Sequence, residues 1–200
     1  MVYDILLESF WIIIPAYVAN ASAVLVGGGK PIDFGKKFKN GKRILGDGKT
    51  WKGLFIGTFI GMTAGFGLSV VARYAQVYNL GIHLPDFTGF PMMIPIIFSI
   101  CFGALMGDTV ESFFKRRRNI PRGSDWIPFD QLDFILGVLI SVGLMSFLLQ
   151  SLYLLPYNWF LKEFSVYHIL TLLIATPFIH LLTNFGHKKI LNQKTEKQTI

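Results

Sequence analysis

Five stretches of this 200-residue chain, at 5–26, 53–76, 91–113, 132–154 and 166–186, are each long and mostly apolar. A helix needs about 20 such residues to cross a bilayer. Within hydrocarbon every backbone N–H and C=O must be satisfied inside the segment, so each stretch is predicted to be a transmembrane helix. The expected fold is therefore an all-α integral membrane protein with five transmembrane helices, forming a single membrane-embedded domain over 1–200. The composition agrees, with 52% hydrophobic residues and only 16% charged. Ala19-Asn20-Ala21-Ser22-Ala23 looks like a signal-peptide cleavage site, but Asp4 and Glu8 precede it and no Lys or Arg does. The first stretch reads as a retained helix. Gly53, Gly57, Gly61 and Gly65 recur every four residues, which marks a ridge where another helix backbone can come close. Cys101 is alone and sits in an apolar run, so no intrachain disulfide forms.

The charges set the orientation. Of 19 Lys and Arg residues, eight lie in loop 27–52, five in loop 114–131 and four in the tail 187–200. Only Arg73 and Lys162 fall elsewhere. With five spans all three basic segments share one side, and the positive-inside rule makes that side cytoplasmic. The N-terminus is then outside and the C-terminus inside. The net charge of +7 is read as topology, anionic headgroups and a phosphate-bearing substrate rather than nucleic acid. The outer loops, 77–90 and 155–165, are short and nearly uncharged, so the active site is expected at the cytoplasmic face.

One oily segment ends unusually. PMMIPIIFSICFGALM, with Ser99 as its one polar side chain, runs straight into GDTVESFFKRRR at 107–118. Asp108, Glu111, Ser112 and Lys115 are spaced i, i+3, i+4, i+7 and share one face of a helix. Bases at a helix C-terminus also serve as ordinary complements to its dipole, but that leaves Asp108, the deepest acid, without an account. A second acidic pair follows in PFDQLD, where Asp130 and Asp133 open the fourth span. Each alone would pass as a helix-start acid. The short loop between spans three and four brings both acidic groups together, beside Lys115, Arg116, Arg117, Arg118 and Arg122. Carboxylate oxygens suit Mg²⁺, and Mg²⁺ commonly bridges carboxylates to phosphates. Bases suit phosphate oxygens. The combination points to metal-assisted phosphoryl or nucleotidyl transfer at the membrane surface.

The loop GGGKPIDFGKKFKNGKRILGDGKTWKG interleaves eight glycines with eight bases. Glycines let backbone N–H groups approach an anion, although a solvated positive-inside loop would have the same composition. GDGKT lacks the spacing of a P-loop. Gly46, Asp47, Gly48, Lys49 and Thr50 are taken as candidate substrate-binding residues, and Asn20, Asp33 and Trp51 add polar and aromatic variety. His83, His168, His180 and His187 have no acid nearby in sequence and are read as structural.

These motifs resemble the CDP-diacylglycerol synthase family. Gly107-Asp108, Ser112 and Lys115-Arg116 match its Gly-Asp-x-x-x-Ser-x-x-Lys-Arg segment. Asp130-Gln131-Leu132-Asp133 matches its Asp-Arg-x-Asp, with Gln in place of Arg. The Lys-Asp pair and Pro-Gly-His-Gly-Gly run found between them in bacterial members are absent, and PRGSDWIPF stands there instead. The small size and the loop PIDFG…GKRILGDGKTWKG are similar to a narrower group, the archaeal CDP-archaeol synthases, over residues ~15–140. That resemblance implies transfer of CMP from CTP to an isoprenoid ether lipid phosphate, 2,3-bis-O-geranylgeranylglyceryl phosphate, with Mg²⁺ as cofactor and pyrophosphate as the second product. It implies Asp108, Asp130 and Asp133 as metal ligands and Ser112, Lys115 and Arg116 as phosphate-binding residues. Arg117, Arg122 and Asp125 are expected to cover part of the missing segment's role. The resemblance makes CTP, the lipid phosphate and membrane lipids the partners; nothing in the sequence sets an oligomeric state. Two other readings stand beside it. A CTP-dependent polyprenol or dolichol kinase would transfer the γ-phosphoryl group instead. A small anion transporter would need polar groups along its spans, whereas here they gather at one face.

Overall fold

The computed structural model describes residues 2–121, 124 and 126–178. Within these, four helices are long and apolar enough to cross a membrane: α1 (Val2–Leu25), α2 (Trp51–Val77), α3 (Met93–Arg117) and α4 (Phe129–Ser151). A short α5 (Trp159–Glu163) follows. The fifth apolar stretch begins as α6, described over Val166–Phe178. Its expected remainder, the tail 187–200, His180, His187, Arg122 and Asp125 lie outside the described residues. No strand occurs among the described residues, and the chain is a multi-pass membrane protein.

Small residues let these helices approach closely. Gly57 of α2 lies so near α1 that an added Cβ would sit 2.8 Å from Ala23 Cβ and 2.9 Å from the Ala19 carbonyl oxygen. At Gly61 it would lie 2.6 Å from Ala19 Cβ and 2.7 Å from the Pro15 oxygen. The glycine ridge is thus a packing surface, and Ile12, Ile13, Ala16 and Ala19 of α1 are buried. Cys101 is buried here too, its thiol 3.6 Å from the Pro15 oxygen.

A second contact of this kind, between α3 and α4, governs the polar end. Gly107 lies against the Asp133 carbonyl, and Gly137 against the Gly103 carbonyl and, at 2.8 Å from an added Cβ, the Gly107 Cα. The buried faces of α3 and α4, including Ile100, Ala104, Phe134, Ile135 and Val138, complete the core. α3 does not stop at the apolar boundary. It continues through GDTVESFFKRR, where Lys115, Arg116 and Arg117 complement the C-terminal dipole.

At the opposite end two of the histidines, His83 and His168, do have an acid partner, distant in sequence. Glu8 of α1 meets His83 Nδ1 at 2.8 Å and His168 Nε2 at 3.0 Å. Ser165 and His168 exchange backbone-to-side-chain hydrogen bonds of 3.3 and 3.4 Å, a capping box at the start of α6.

Candidate active site

The loop 27–50 folds back on itself before α2. The Ile32 N–H donates to the Lys49 carbonyl at 2.8 Å and the Phe38 N–H to Lys42 at 2.7 Å. Asp33 is the hub of this excursion. Its buried carboxylate accepts from the N–H groups of Gly35, Leu45 and Gly46 at 3.1, 2.9 and 3.2 Å. It also accepts from both Nε and Nη2 of Arg43, at 3.3 and 2.7 Å. Burial alone would raise the Asp33 carboxyl, but Arg43 and the three N–H groups outweigh it and hold the group well below the usual carboxylate range. Asp33, and then Asp47 at 2.5 Å, hold the Arg43 guanidinium above its usual value. Because Asp33 clamps residues 45 and 46, the following Asp47-Gly48-Lys49 is presented toward α3.

α3 supplies the opposing wall. A pocket of about 340 Å³ is lined by Asp108, Glu111, Ser112, Lys115 and Arg116 from the helix. From the loop it is lined by Arg43, Leu45, Gly46, Asp47, Gly48 and Lys49. The expected helix stripe and the expected glycine loop thus face one another across one cavity. Lys49 Nζ is paired with Asp108 Oδ2. Lys115 Nζ bridges two helices, 3.2 Å from Glu111 Oε1 and 2.7 Å from Asp130 Oδ1. Arg116 lines the same pocket, and its buried Nε has no hydrogen-bond partner.

The carboxylates gather where α3 and α4 touch. Asp108, Glu111 and Asp133 each offer an oxygen, and these atoms all lie within 4.8 Å of one another. Oxygens about 2.1 Å from a shared Mg²⁺ would lie about 4.2 Å apart across it, with more for Ca²⁺. Three hard oxygen donors at this spacing suit such a cation. Asp130, expected as a third ligand, accepts from the Trp126 N–H at 2.9 Å and pairs with Lys115. Glu111 takes the third position in the cluster.

Two further expected residues are engaged elsewhere. Thr50 is buried, and its hydroxyl accepts the Gly53 N–H at 3.1 Å as the N-cap of α2. Arg117 lies over the Phe38 ring at 4.4 Å and the Phe113 ring at 4.9 Å, and donates to the Arg43 carbonyl at 2.5 Å. It pins the loop to α3 rather than lining the pocket.

An apolar groove of about 680 Å³ runs along α3 and α4, lined by Met106, Val110, Phe114, Leu132, Leu136, Ile140 and Leu144 among others. Its charged lining residues are Glu111, Asp133 and Arg118. Glu111 therefore borders both the oily groove and the polar pocket.

Comparisons with known proteins give the family. The family model for CarS-like CDP-archaeol synthase matches residues 2–194. The CDP-archaeol synthase of Methanosarcina mazei is 41% identical over 86% of this chain and 92% of its own length. That of Halorubrum lacusprofundi is 38% identical over 93% and 94%. A solved intramembrane enzyme for archaeal membrane lipid biosynthesis is 32% identical, with a TM-score of 0.65 over 90% of this chain and 94% of that one. With a family model spanning nearly all of its length and close relatives over most of it, the chain belongs to the CDP-archaeol synthase family, membrane enzymes that are cytidylyltransferases.

Proposed function

We propose that this enzyme forms CDP-archaeol by joining CMP from CTP to 2,3-bis-O-geranylgeranylglyceryl phosphate at the cytoplasmic face, with Asp108, Glu111 and Asp133 holding Mg²⁺. The observation that carries the residue assignment is the shared position of Glu111. The acidic cluster sits where a polar, base-lined pocket meets an apolar groove. The nucleotide triphosphate fits the pocket, and the lipid tails fit the groove between α3 and α4, so the two phosphates meet at the carboxylates.

A lipid phosphate oxygen attacks the α-phosphorus of CTP, the bond from that phosphorus to the bridging oxygen breaks, and pyrophosphate leaves. The nucleophile is already an anion, so the chain needs little general-base help. Its task is to bring two anions together and hold them in line. Arg116 and Lys49 meet the triphosphate from opposite walls of the pocket. Ser112 lies one turn from Asp108 on the same wall and offers a hydroxyl to a phosphate oxygen. Lys115, fixed between Glu111 and Asp130, ties α3 to α4 and keeps Glu111 aimed at the cluster. The groove keeps water from the lipid side, where fixed charges act more strongly. Asp108, Glu111 and Asp133 would hold a divalent cation, which would supply positive charge to offset that of the phosphates.

The test uses purified protein in detergent with Mg²⁺, the lipid phosphate, and CTP labelled separately at the α- and γ-phosphates. Label from the α position enters lipid and pyrophosphate is released. Asp108→Asn removes this activity while the protein still inserts. Transfer of γ-label to an alcohol lipid, or full turnover by Asp108→Asn, would overturn the assignment.

A further inference from the structure

Lys49 rests on one of the three carboxylates that the proposed cation needs. Its ammonium rests on Asp108 Oδ2, and Asp108 belongs to the three-carboxylate cluster. Among the four acids here, Lys115 serves Glu111 and Asp130, and Lys49 serves Asp108. An ammonium and a divalent cation on one carboxylate repel each other. We infer that Lys49 is a built-in stand-in cation: it neutralises Asp108 while the site is empty, yields to the incoming divalent ion, and then turns its ammonium to the triphosphate. This rests on the metal reading given above and assigns it an exchange step.

The local structure allows only the side chain to make this change. The Lys49 carbonyl is fixed by the Ile32 N–H at 2.8 Å, and the next residue, Thr50, is locked as the cap of α2. The four-carbon stem is free to re-aim. The Lys49 side chain is 22% exposed and Asp108 26%, so the pair is half-buried and open on the pocket side. The pocket into which Lys49 would swing already presents Arg116, whose Nε is unpartnered. One residue thus acts as counter-ion in the empty site and as phosphate ligand in the loaded one. A carboxylate cluster without such a counter-ion would either repel itself or capture any passing cation.

The test reads cation binding directly, with no turnover involved. Mn²⁺, which suits the same oxygen donors, is titrated into the full-length protein in detergent, and free Mn²⁺ is followed by its paramagnetic resonance signal. Lys49→Met should bind Mn²⁺ on the order of tenfold more tightly than wild type, equivalent to about 1.4 kcal/mol. Lys49→Arg keeps the charge and should bind as wild type does. Asp108→Asn should lose binding in either background. If Lys49→Met binds Mn²⁺ no more tightly than wild type while Asp108→Asn still abolishes it, the stand-in role is refuted and the metal site stands. If Lys49→Arg gains affinity as Lys49→Met does, the gain does not come from removing a charge, and the stand-in role is refuted. If Asp108→Asn binds as well as wild type, the metal assignment fails and the inference fails with it.

Discussion

Gly107→Ala should separate catalysis from insertion. A Cβ at Gly107 would lie 2.9 Å from the Asp133 carbonyl carbon and 3.1 Å from the Gly137 Cα, and closer still to the Asp133 oxygen. All three are backbone atoms, so no rotamer change relieves the clash. Close-packed helices do not deform at a point, and α4 must withdraw by about 1 Å. Overpacking of this kind costs roughly 1–3 kcal/mol. The same withdrawal carries Asp133 away from Asp108 and Glu111. A 1 Å misplacement of reacting groups costs on the order of 100-fold in rate. The assay is kcat/KM for label transfer, with Tm in detergent measured in parallel. The expected result is a fall of about 100-fold in kcat/KM with a folded, inserted protein. Gly67→Ala is the control: its Cβ would meet nothing within 4 Å, and activity should not change. If Gly107→Ala stays within about twofold of wild type, the α3–α4 contact does not set the carboxylate geometry.

Arg116→Ala should raise KM for CTP by about tenfold or more, the scale of one lost charge-assisted contact, with little effect on KM for lipid; steady-state kinetics in both substrates decides this. Leu136→Trp should fill the groove and raise KM for long-tailed lipid phosphate while leaving CTP binding unchanged, as measured by nucleotide titration. Asp33 is ionised far below its usual value, so its contribution to loop order is fully present above about pH 4 and is lost as pH falls through the lowered native value. Hydrogen exchange of Leu45 and Gly46 should therefore remain protected down to pH 4 and below, and Asp33→Asn should remove that protection at neutral pH.

The helix stripe was legible because i, i+3, i+4, i+7 spacing needs no knowledge of any other element. Asp108, Glu111, Ser112 and Lys115 all line the expected face, the first four apolar stretches became helices with boundaries shifted by a few residues, and the fifth is helical over its described part, 166–178. That Glu111 rather than Asp130 clusters with Asp108 and Asp133 was not legible. It depends on the relative height of α3 and α4, and that height is set by Gly107 and Gly137 meeting backbone to backbone. A glycine spacing on one helix says that a partner comes near, not which partner or at what level. Arg117 looked like a phosphate ligand because its charge is visible in sequence. The Phe38 and Phe113 rings that claim it come from two separate segments. The Glu8 link to His83 and His168 joins residues 75 and 160 positions apart and has no local signature.

The double boundary at Glu111 has a consequence for how this enzyme can diversify. The walls of the groove and the walls of the pocket share almost no side chains apart from this acid. If the groove takes the lipid tails and the pocket the nucleotide, as proposed, substitutions along Met106, Leu136, Ile140 or Leu144 would retune chain length, branching or saturation of the lipid without disturbing the nucleotide. Substitutions in the loop would alter the nucleotide without disturbing the lipid. The two specificities would then be modular, joined by one hinge-pin carboxylate, and the hydrocarbon of a membrane could change while the activation chemistry stayed the same.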